Sequence, residues 1–350
     1  GSPVVLLFLD FDDFKDINDS LGHDAGDNLL VTIARRLAES LRPGDTIARL
    51  GGDEFAVLLE DFDVARSVDD VASRLLDVVS EPVMLNGREV TVHGSIGIAV
   101  SDYNQPDGRS LLYSADLAMY EAKHSGGGRF VRYLPDMHQH TLERLDTEQA
   151  LRVAITGNQL LLHYQPIHDL RTRRIVGLEA LVRWQHPSRG LLGPGEFVPI
   201  AESSQLIAGL GEWVLRSACA QAAQWASDIE IAVNLSPRQV EPKLPALVRA
   251  VLAESGLPSQ RLTLEVTEGT AMADDQEMQQ VFEELYTMGV RFAIDDFGTG
   301  HSSLARLRTL PVNQLKIDRS FVSSLEEDAE NAVLISAIIA NMTATSPRKM

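Results

Sequence analysis

Apolar runs that end in a polar or acidic residue recur along the whole chain. In the first run, residues 4–9 are all apolar and Asp10 follows them directly. An unbroken apolar run of this length is typical of a strand that is buried on both faces of a sheet. We therefore predict a buried strand with a carboxylate at its exit.

Helical spacing follows this first strand. Apolar side chains recur every three or four positions at Leu30, Ile33, Leu37 and Leu41. After a turn predicted at residues 23–26, this spacing indicates a helix that packs against the sheet.

Two further segments that we interpret as strands flank the pair Gly51 and Gly52, which predicts a hairpin. The segments span residues 46–50 and 55–59. Because the glycines have no side chains, a phosphate or a base can approach the backbone there. If the second hairpin strand lies beside the first strand of the chain, Asp10 meets Asp53 and Glu54 at one sheet edge. Such carboxylates hold Mg²⁺ against a triphosphate, and the structural alternative is a Gly-Gly turn with solvated acids.

In the second half, four apolar runs each end in an acid or an amide. They lead into Glu179, Asn234, Glu265 and the pair Asp295-Asp296. Steps of 31 residues from Asn234 to Glu265 and of 30 from Glu265 to Asp295 match one unit of a (β/α)₈ barrel of about 250 residues. We predict a TIM-like barrel whose strand ends meet at one mouth and bind Mg²⁺ or Mn²⁺, two ions where acids are paired. A single acid of this kind would more simply cap the following helix.

The length and the net charge of the chain favour some classes of function over others. The chain has 350 residues, which favours two domains. Its 50 acidic and 31 basic side chains give a formal charge of −19, which argues against binding a nucleic-acid polymer through clustered cations. An acidic protein that handles nucleotides is expected to use bound cations.

Cysteine and hydropathy set the expected compartment. The single Cys219 allows no intrachain disulfide and lies in an apolar helical stretch, so we expect an inert buried thiol and a reducing cytoplasm. No apolar run reaches the ~18 residues of a membrane span, and we expect no membrane segment in this chain.

The first half resembles the diguanylate cyclases of the GGDEF family. The resemblance runs through residues 9–15, Asn18-Asp19, Gly22-His23, Gly26-Asp27, residues 49–55, Ala115-Asp116, Met119-Tyr120 and Ala122-Lys123. It implies an α/β domain with a central, mostly antiparallel sheet over residues 1–135, without the helix that precedes the first strand in the family. It also implies a homodimer in which two domains each hold one GTP and the 3′-hydroxyl of one attacks the α-phosphate of the other.

The resemblance assigns roles in this half. Asp10, Asp53 and Glu54 would bind metal and assist deprotonation of the 3′-hydroxyl, with either Asp53 or Glu54 as the base. Asn18 and Asp27 would hydrogen-bond the guanine edge. Lys15 and Lys123 would meet the phosphates, and Gly51 and Gly52 would lie close to the substrate. Arg42 and Asp45 stand where the family often carries an inhibitory product site, and an ordinary Pro-Gly turn is the alternative. As a departure, Gly127 and Gly128 replace an Arg-Asn pair, which leaves one phosphate contact unaccounted for, and we expect a flexible turn there.

After a connecting helix at residues 136–147, the chain resembles the EAL phosphodiesterases of cyclic di-GMP over residues 148–350. The matching segments are residues 164–167, 179–184, 234–236, 265–268, 295–300 and 316–318. The resemblance implies that Glu179, Asn234, Glu265 and Asp295 bind one metal ion, that Asp296 binds a second, and that Lys316 helps to position the attacking water. Gln165 and Arg183 would contact the substrate, and Glu268 would brace the loop at residues 297–300. The implied product is linear pGpG.

The end of the chain departs from this family. From Leu151 the chain has 200 residues, fewer than the ~250 of a barrel, so we expect the last strands to be missing, and residues 343–350 resemble no part of the family. The main hypothesis is a bifunctional enzyme that makes and hydrolyses cyclic di-GMP. The alternatives are that one half has become a GTP or cyclic di-GMP sensing module, or that the chain is a non-enzymatic interaction protein.

Overall fold

The computed structural model describes residues 4–12, 14–60, 67–101, 107–226, 229–272, 276–298 and 312–317, with the side chain of Asp296 excepted. The chain divides into two compact units between Leu145 and Asp146. Among the described helices, none combines the length and the apolar character that a membrane crossing requires.

The first unit contains seven short strands. They are β1 Val5–Phe11, β2 Thr46–Gly51, β3 Glu54–Leu59, β4 Val83–Leu85, β5 Arg88–Val90, β6 Gly94–Val100 and β7 Phe130–Arg132. Five of them form one sheet in the order β2-β3-β1-β6-β7, in which the β6–β7 pairing is parallel and the others are antiparallel. The mostly antiparallel sheet that the sequence predicts is therefore present, and every residue of β1 is buried.

Helices cover this sheet. They are α1 Phe14–Leu21, α2 His23–Ser40, α3 Val68–Ser80 and α4 Gly108–His124, followed by α5 Met137–Thr156, which crosses the division between the units. The turn predicted at residues 23–26 is wrong, because these residues form the first turn of α2. The change of direction comes one residue earlier, at Gly22, whose φ of 87° suits glycine.

The core of the first unit lies between β1 and the apolar face of α2. Leu7 and Leu9 of β1 and Leu29 and Ile33 of α2 are at most 1 % exposed. Since the sheet buries its other face against α4, β1 is apolar at successive positions rather than at alternate ones.

The second unit alternates strands and helices. Its elements are β8 Leu160–His168, β9 Ile175–His186, β10 Gly190–Leu192, α6 Pro194–Ser203, α7 Ile207–Ala222, β11 Glu230–Asn234, α8 Leu244–Ser255, β12 Leu262–Thr267, α9 Glu268–Ala271, α10 Gln276–Thr287, β13 Arg291–Phe297 and β14 Gln314–Ile317. Strands β9, β11, β12, β13 and β14 are parallel neighbours in that order. This succession is that of a TIM-like α/β fold, and the predicted loss of the last barrel strands concerns residues outside the described ranges.

Parallel register positions the polar residues of this unit. Asn234 of β11 lies opposite Glu265 of β12, and Asp295 of β13 lies opposite Thr267. At the start of the sheet, β8 pairs with β9 in antiparallel fashion, which places Gln165 opposite Glu179. The carboxyl ends of parallel strands meet at one edge of a sheet, so these residues come together there.

The core of the second unit packs the helices against the parallel strands. Trp184 is fully buried, donates an indole hydrogen bond of 3.1 Å to Gln159 Oε1, and packs edge-on against Phe197. Cys219 of α7 is also fully buried, and burial raises the pKa of its thiol to about 12. This thiol has the inert environment that the sequence predicts.

Candidate active sites

Three carboxylates converge at the strand ends of the second unit. Glu179, Glu265 and Asp295 have carboxylate oxygens that all lie within 4.8 Å of one another. The amide nitrogen of Asn234 donates a hydrogen bond of 2.8 Å to Glu179 Oε1. The structure therefore brings together four of the residues that the sequence proposes as ligands of the first metal ion.

The ammonium group of Lys316 lies among these carboxylates. Its Nζ donates hydrogen bonds to Glu265 Oε2 at 2.6 Å, Asp295 Oδ2 at 2.9 Å and Glu179 Oε2 at 3.2 Å. Burial alone would lower the pKa of Lys316, but the hydrogen bonds that its Nζ donates to Glu265 and Asp295 outweigh this effect and raise the pKa above its usual value. Without a metal ion in the cluster, the Lys316 side chain is therefore an ammonium group at neutral pH.

Glu265 is the most buried member of the cluster, at 1 % exposure. Burial raises its pKa to about 7, against the lowering effect of Lys316 and with further raising by Glu179 and Asp295. Its Oε1 is buried and has no hydrogen-bond partner among the residues that the structure describes. A buried carboxylate oxygen without a donor is costly, and an oxygen-liganding divalent cation would satisfy it. The donor set thus fits Mg²⁺ or Mn²⁺.

Other proposed residues lie around the cluster. Glu268, at the start of α9, accepts a hydrogen bond of 2.7 Å from Gly298 N, at the beginning of the loop that it is expected to brace. Gln165 is exposed and lies opposite Glu179 in the sheet, and Arg183 is half-buried and donates to Val182 O. The side chain of Asp296 and the loop residues 299–300 lie outside the described residues.

A cavity of about 310 Å³ opens beside Asn234. Leu181, Val198 and Leu210 give it a mainly apolar wall, and Glu202 supplies a carboxylate. Ser236 Oγ donates a hydrogen bond of 2.7 Å to Glu202 Oε1. Pattern reasoning gave no indication of this cavity, because its wall comes from β9, α6, α7 and the loop after β11, which are far apart in sequence.

In the first unit, Asp10 and Lys123 form an ion pair at 2.5 Å. Burial raises the pKa of Asp10 to about 6, Lys123 lowers it, and the neighbouring Asp53 raises it further. Asp10 and Asp53 are thus close enough to interact. The three carboxylates that the sequence predicts to share a metal site lie farther apart than those of the second unit. Among the described residues, the carboxylate oxygens of Asp10, Asp53 and Glu54 do not all come within 4.8 Å of one another.

The hairpin has the predicted place beside β1. Leu9 pairs with Phe55, and Gly51 pairs with Glu54 across a turn in which Gly52 has a φ of 51°. Both glycines are exposed, and a methyl group on either would meet no atom within 4 Å. The backbone of this turn is therefore open to a ligand.

The proposed guanine residues lie on adjoining helices. A methyl group at Gly26 would fall 2.0 Å from Asn18 Oδ1, so the Asn18 amide rests against the first turn of α2, directly before the exposed Asp27. Lys15 is exposed on α1. The structure thus brings Asn18 close to the turn that carries Asp27 and leaves Lys15 open to solvent.

Asp12 is a residue that sequence reasoning missed. Its Oδ2 accepts a hydrogen bond of 2.8 Å from Gly128 N, and its Oδ1 accepts one of 2.8 Å from Ser95 Oγ. These bonds fix the turn at residues 126–128, in which each glycine has a positive φ. The sequence predicts a flexible turn there, and the structure instead ties it to the end of β1. The signal was available, since Asp12 directly follows the buried strand β1.

Arg42 and Asp45 interact with each other. Arg42 Nε donates to Asp45 Oδ1 at 2.9 Å, and Arg42 Nη2 donates to Glu60 O at 2.7 Å. The pair is consistent both with a ligand site and with a stabilised Pro-Gly turn.

Comparison with known families divides the chain in the same way. A family model described as "EAL domain" matches residues 148–346, and one described as "Diguanylate cyclase, GGDEF domain" matches residues 1–129. The first match extends into residues 343–350, so the expectation that this segment resembles no part of the family is wrong for its first residues.

Three relatives illustrate the similarity. The "Bifunctional diguanylate cyclase/cyclic di-GMP phosphodiesterase MucR" of Pseudomonas aeruginosa is 43 % identical over 340 residues, which are 96 % of this chain and 50 % of that protein. A solved "PaMucR Phosphodiesterase, c-di-GMP complex" is 44 % identical with a TM-score of 0.55, and the match covers 57 % of this chain and 83 % of that one. The chain spans about half the length of the curated relatives it matches.

A third structure resembles the fold along nearly the whole chain. "Vibrio cholerae LapD S helix-GGDEF-EAL (bound to c-di-GMP)" has a TM-score of 0.59 at 18 % identity, and the match covers 98 % of this chain and 82 % of that one. At this identity the likeness concerns the fold alone.

Proposed function

Because the chain belongs to the EAL-domain family and carries a GGDEF domain ahead of its EAL domain, we propose that its second unit hydrolyses cyclic di-GMP to linear pGpG. The observation that carries this proposal is the convergence of Glu179, Glu265 and Asp295 beside Asn234. Water adds to one phosphorus, the bond from that phosphorus to a 3′-oxygen breaks, and the proton of the water is passed on to this leaving oxygen.

The proposed metal ligands are Glu179, Asn234, Glu265 and Asp295, with Asp296 assigned to a second ion. Bound Mg²⁺ or Mn²⁺ would neutralise phosphate charge and lower the pKa of water at this site. The unpartnered Oε1 of Glu265 supports this assignment, because a carboxylate oxygen that is buried without a donor gains most from a cation.

The remaining side chains bind and orient. Arg183 can pair with a phosphate, and Gln165 can donate or accept a hydrogen bond from its place opposite Glu179. Lys316 keeps three carboxylates together, and its ammonium group can donate a hydrogen bond to the attacking water. The neighbouring cavity offers an apolar wall and the Glu202 carboxylate to one base of the dinucleotide.

The test is product formation. The purified chain is incubated with cyclic di-GMP and Mn²⁺, and pGpG is measured by ion-exchange chromatography. We expect product from the wild type, at least a hundredfold less from Glu179→Gln, and an unchanged rate from Glu241→Gln, since the Glu241 carboxylate pairs with the exposed Lys243 and not with Lys316. A wild type that is folded and binds Mn²⁺ but gives no pGpG would contradict the proposal.

A second candidate function is synthesis of cyclic di-GMP from two GTP molecules by the first unit. Asp10 beside Asp53, with Lys123 bonded to Asp10, offers a site for a divalent cation and for phosphate oxygens. This chemistry requires a homodimer in which each copy holds one GTP, and Arg42 with Asp45 is the proposed site at which the product inhibits. Cyclic di-GMP formed from GTP and lost in Asp53→Asn would support it.

Binding without turnover is the rival interpretation. Calorimetry with cyclic di-GMP and with a non-hydrolysable GTP analogue separates the two. Tight binding with no product in either assay would make the unit concerned a sensing module rather than an enzyme.

A further inference from the structure

The connection between β8 and β9 carries three arginines within four positions. Arg171, Arg173 and Arg174 are all exposed. In the described part of the chain, no carboxylate lies within ion-pair distance of their guanidinium groups. We call residues 169–174 the hairpin tip. In a chain with a formal charge of −19, this tip bears three positive charges against the single negative charge of Asp169.

The backbone of the hairpin tip is closed by hydrogen bonds. Asp169 Oδ1 accepts from Arg171 N at 2.9 Å, from Thr172 N at 2.6 Å and from Thr172 Oγ1 at 3.0 Å. In addition, Arg173 N donates to Asp169 O at 2.7 Å, and Asp169 N donates to Arg174 O at 2.9 Å. The Asp169 carboxylate thus serves the backbone, and the arginine side chains extend from a turn of fixed shape.

Arg173 occupies a backbone position that suits another residue type. Its φ is 56°, in the left-handed region, where a side chain with a Cβ atom is disfavoured and glycine is not. The geometry of the turn therefore does not explain the arginine. A strained position that keeps a charged side chain is a reason to look for a function of that charge.

An apolar side chain lies among these cations. Leu170 is 93 % exposed, more than any other large apolar side chain in the described ranges. Ile175 and Val176, which follow the tip at the start of β9, are also exposed. The hairpin tip thus combines exposed apolar area with positive charge, as protein segments that lie at a membrane interface do.

We propose that the hairpin tip docks onto a bilayer surface that contains anionic phospholipids. Leu170 enters the headgroup region, and the three arginines pair with lipid phosphates, to which the planar guanidinium fork is well suited. Because the chain as a whole is acidic and is repelled by an anionic surface, it has to approach through a local group of cations.

A nucleic acid would also attract arginines, but it fits this surface less well. Proteins that bind single strands stack the bases on aromatic side chains, and residues 169–174 include none. A nucleic acid would also leave the exposed Leu170 without a role. The inference does not rest on the proposed hydrolysis of cyclic di-GMP, because the tip precedes β9 whereas Asn234 is the last residue of β11.

The experiment measures binding of the full 350-residue chain to vesicles by co-sedimentation. Vesicles of equal parts of phosphatidylcholine and phosphatidylglycerol are compared with vesicles of phosphatidylcholine alone. We expect the wild type to bind the anionic vesicles only. Binding should fall as salt is added, since ions screen the attraction between exposed charges.

Arg173→Gly separates docking from folding. Because glycine suits a φ of 56°, the variant should melt at the same temperature as the wild type or higher, yet the loss of one cation should weaken vesicle binding about fivefold. Leu170→Ser removes an exposed side chain, so it should weaken binding about tenfold at unchanged melting temperature.

Two variants on α2 are the matched controls. Arg35→Gln removes an exposed arginine that is paired with Glu39, and Val31→Ser removes an apolar side chain that is 70 % exposed. Each makes a change of the same kind away from the hairpin tip, and neither should alter vesicle binding.

Several outcomes would overturn the proposal. They are a wild type that does not sediment with anionic vesicles, one that sediments equally with both kinds, and tip variants that bind as the wild type does. Tighter binding to a labelled single-stranded RNA than to vesicles, lost in Arg173→Gly but kept in Leu170→Ser, would overturn it in favour of a nucleic-acid partner.

Discussion

Gly97 of β6 and Ala115 of α4 lie in direct backbone contact. A methyl group at position 97 would fall 1.9 Å from Ala115 O and 2.2 Å from Met119 N. Because the obstacle is backbone rather than a flexible side chain, the helix has to move away from the sheet to accept any other residue. The same helix carries Lys123, so this contact also sets the distance between Lys123 and Asp10.

We therefore expect Gly97→Ala to destabilise the first unit by about 3 kcal/mol, as overpacking does in a rigid core. Urea unfolding with the wild type in parallel measures the difference. Gly108→Ala is the matched control, since a methyl group at the first residue of α4 would meet no atom within 4 Å. Equal stabilities of the Gly97→Ala variant and the wild type would contradict the contact.

Trp184 makes the corresponding prediction for the second unit. Trp184→Ala removes a fully buried indole and leaves Gln159 without its donor, so a loss of about 4 kcal/mol in the free energy of unfolding is expected. Trp184→Phe keeps part of the packing against Phe197 and should lose less than half as much. A loss confined to the unfolding transition of the second unit, followed by fluorescence and proteolysis, is the expected pattern.

Replacing Lys316 is expected to lower the stability of the metal-free protein and to raise its affinity for Mn²⁺. Without its ammonium group, the three carboxylates repel one another, so the metal-free Lys316→Met variant is expected to be about 2 kcal/mol less stable than the wild type. The same loss removes a cation that competes for these oxygens, so Mn²⁺ should bind several-fold more tightly in calorimetry. Hydrolysis of cyclic di-GMP should nevertheless fall.

The control for this prediction is Lys243→Met, which removes an exposed lysine and should change neither quantity. Weaker Mn²⁺ binding in Lys316→Met would mean that Lys316 orients the carboxylates for the ion rather than competing with it.

His124, the last residue of α4, predicts how stability depends on pH. Burial lowers its pKa to about 4, with further lowering by Arg144 and Lys123, and its buried Nε2 has no hydrogen-bond partner among the described residues. The unfolded chain takes up a proton near pH 6.5 and the folded chain only near pH 4, so stability falls as the pH decreases between these values. His124 is partly exposed, and after allowance for solvent screening the effect is about 1 kcal/mol.

The measurement is the free energy of unfolding at several pH values from 7 to 4.5. His124→Phe should decline less steeply over this range than the wild type, whereas His140→Gln, at an exposed position of α5, should follow the wild type. Parallel curves for the His124→Phe variant and the wild type would contradict the prediction.

Sequence patterns predicted the strands and their polar ends well, because both depend on neighbours along the chain. An unbroken apolar run identified β1, which continues through the predicted exit at Asp10 to Phe11, and regular spacing placed Asn234, Glu265 and Asp295 on successive parallel strands. The resemblance to known families added the roles that these residues are proposed to play.

Contacts between distant segments were beyond this reasoning. Asp12 and Gly128 are 116 positions apart, and nothing in either segment alone indicates that one ties down the other. Likewise, Lys316 was expected to act on water, and only the fold places its ammonium against three carboxylates. The turn predicted at residues 23–26 failed for a local reason, since Gly22 already supplies the break and the helix starts at once.

The antiparallel pairing of β8 with β9 gives the second unit an order of assembly. Nine residue pairs join these strands across a connection of six residues, at positions 169–174, whereas β9 and β11 pair only after the chain has passed through β10, α6 and α7. Closing a short loop costs less conformational entropy than closing a long one. The hairpin is therefore expected to form first on the folding pathway and to serve as the template on which each parallel strand adds in turn, so that the acidic site is completed only at a late stage of folding, when β14 brings in Lys316.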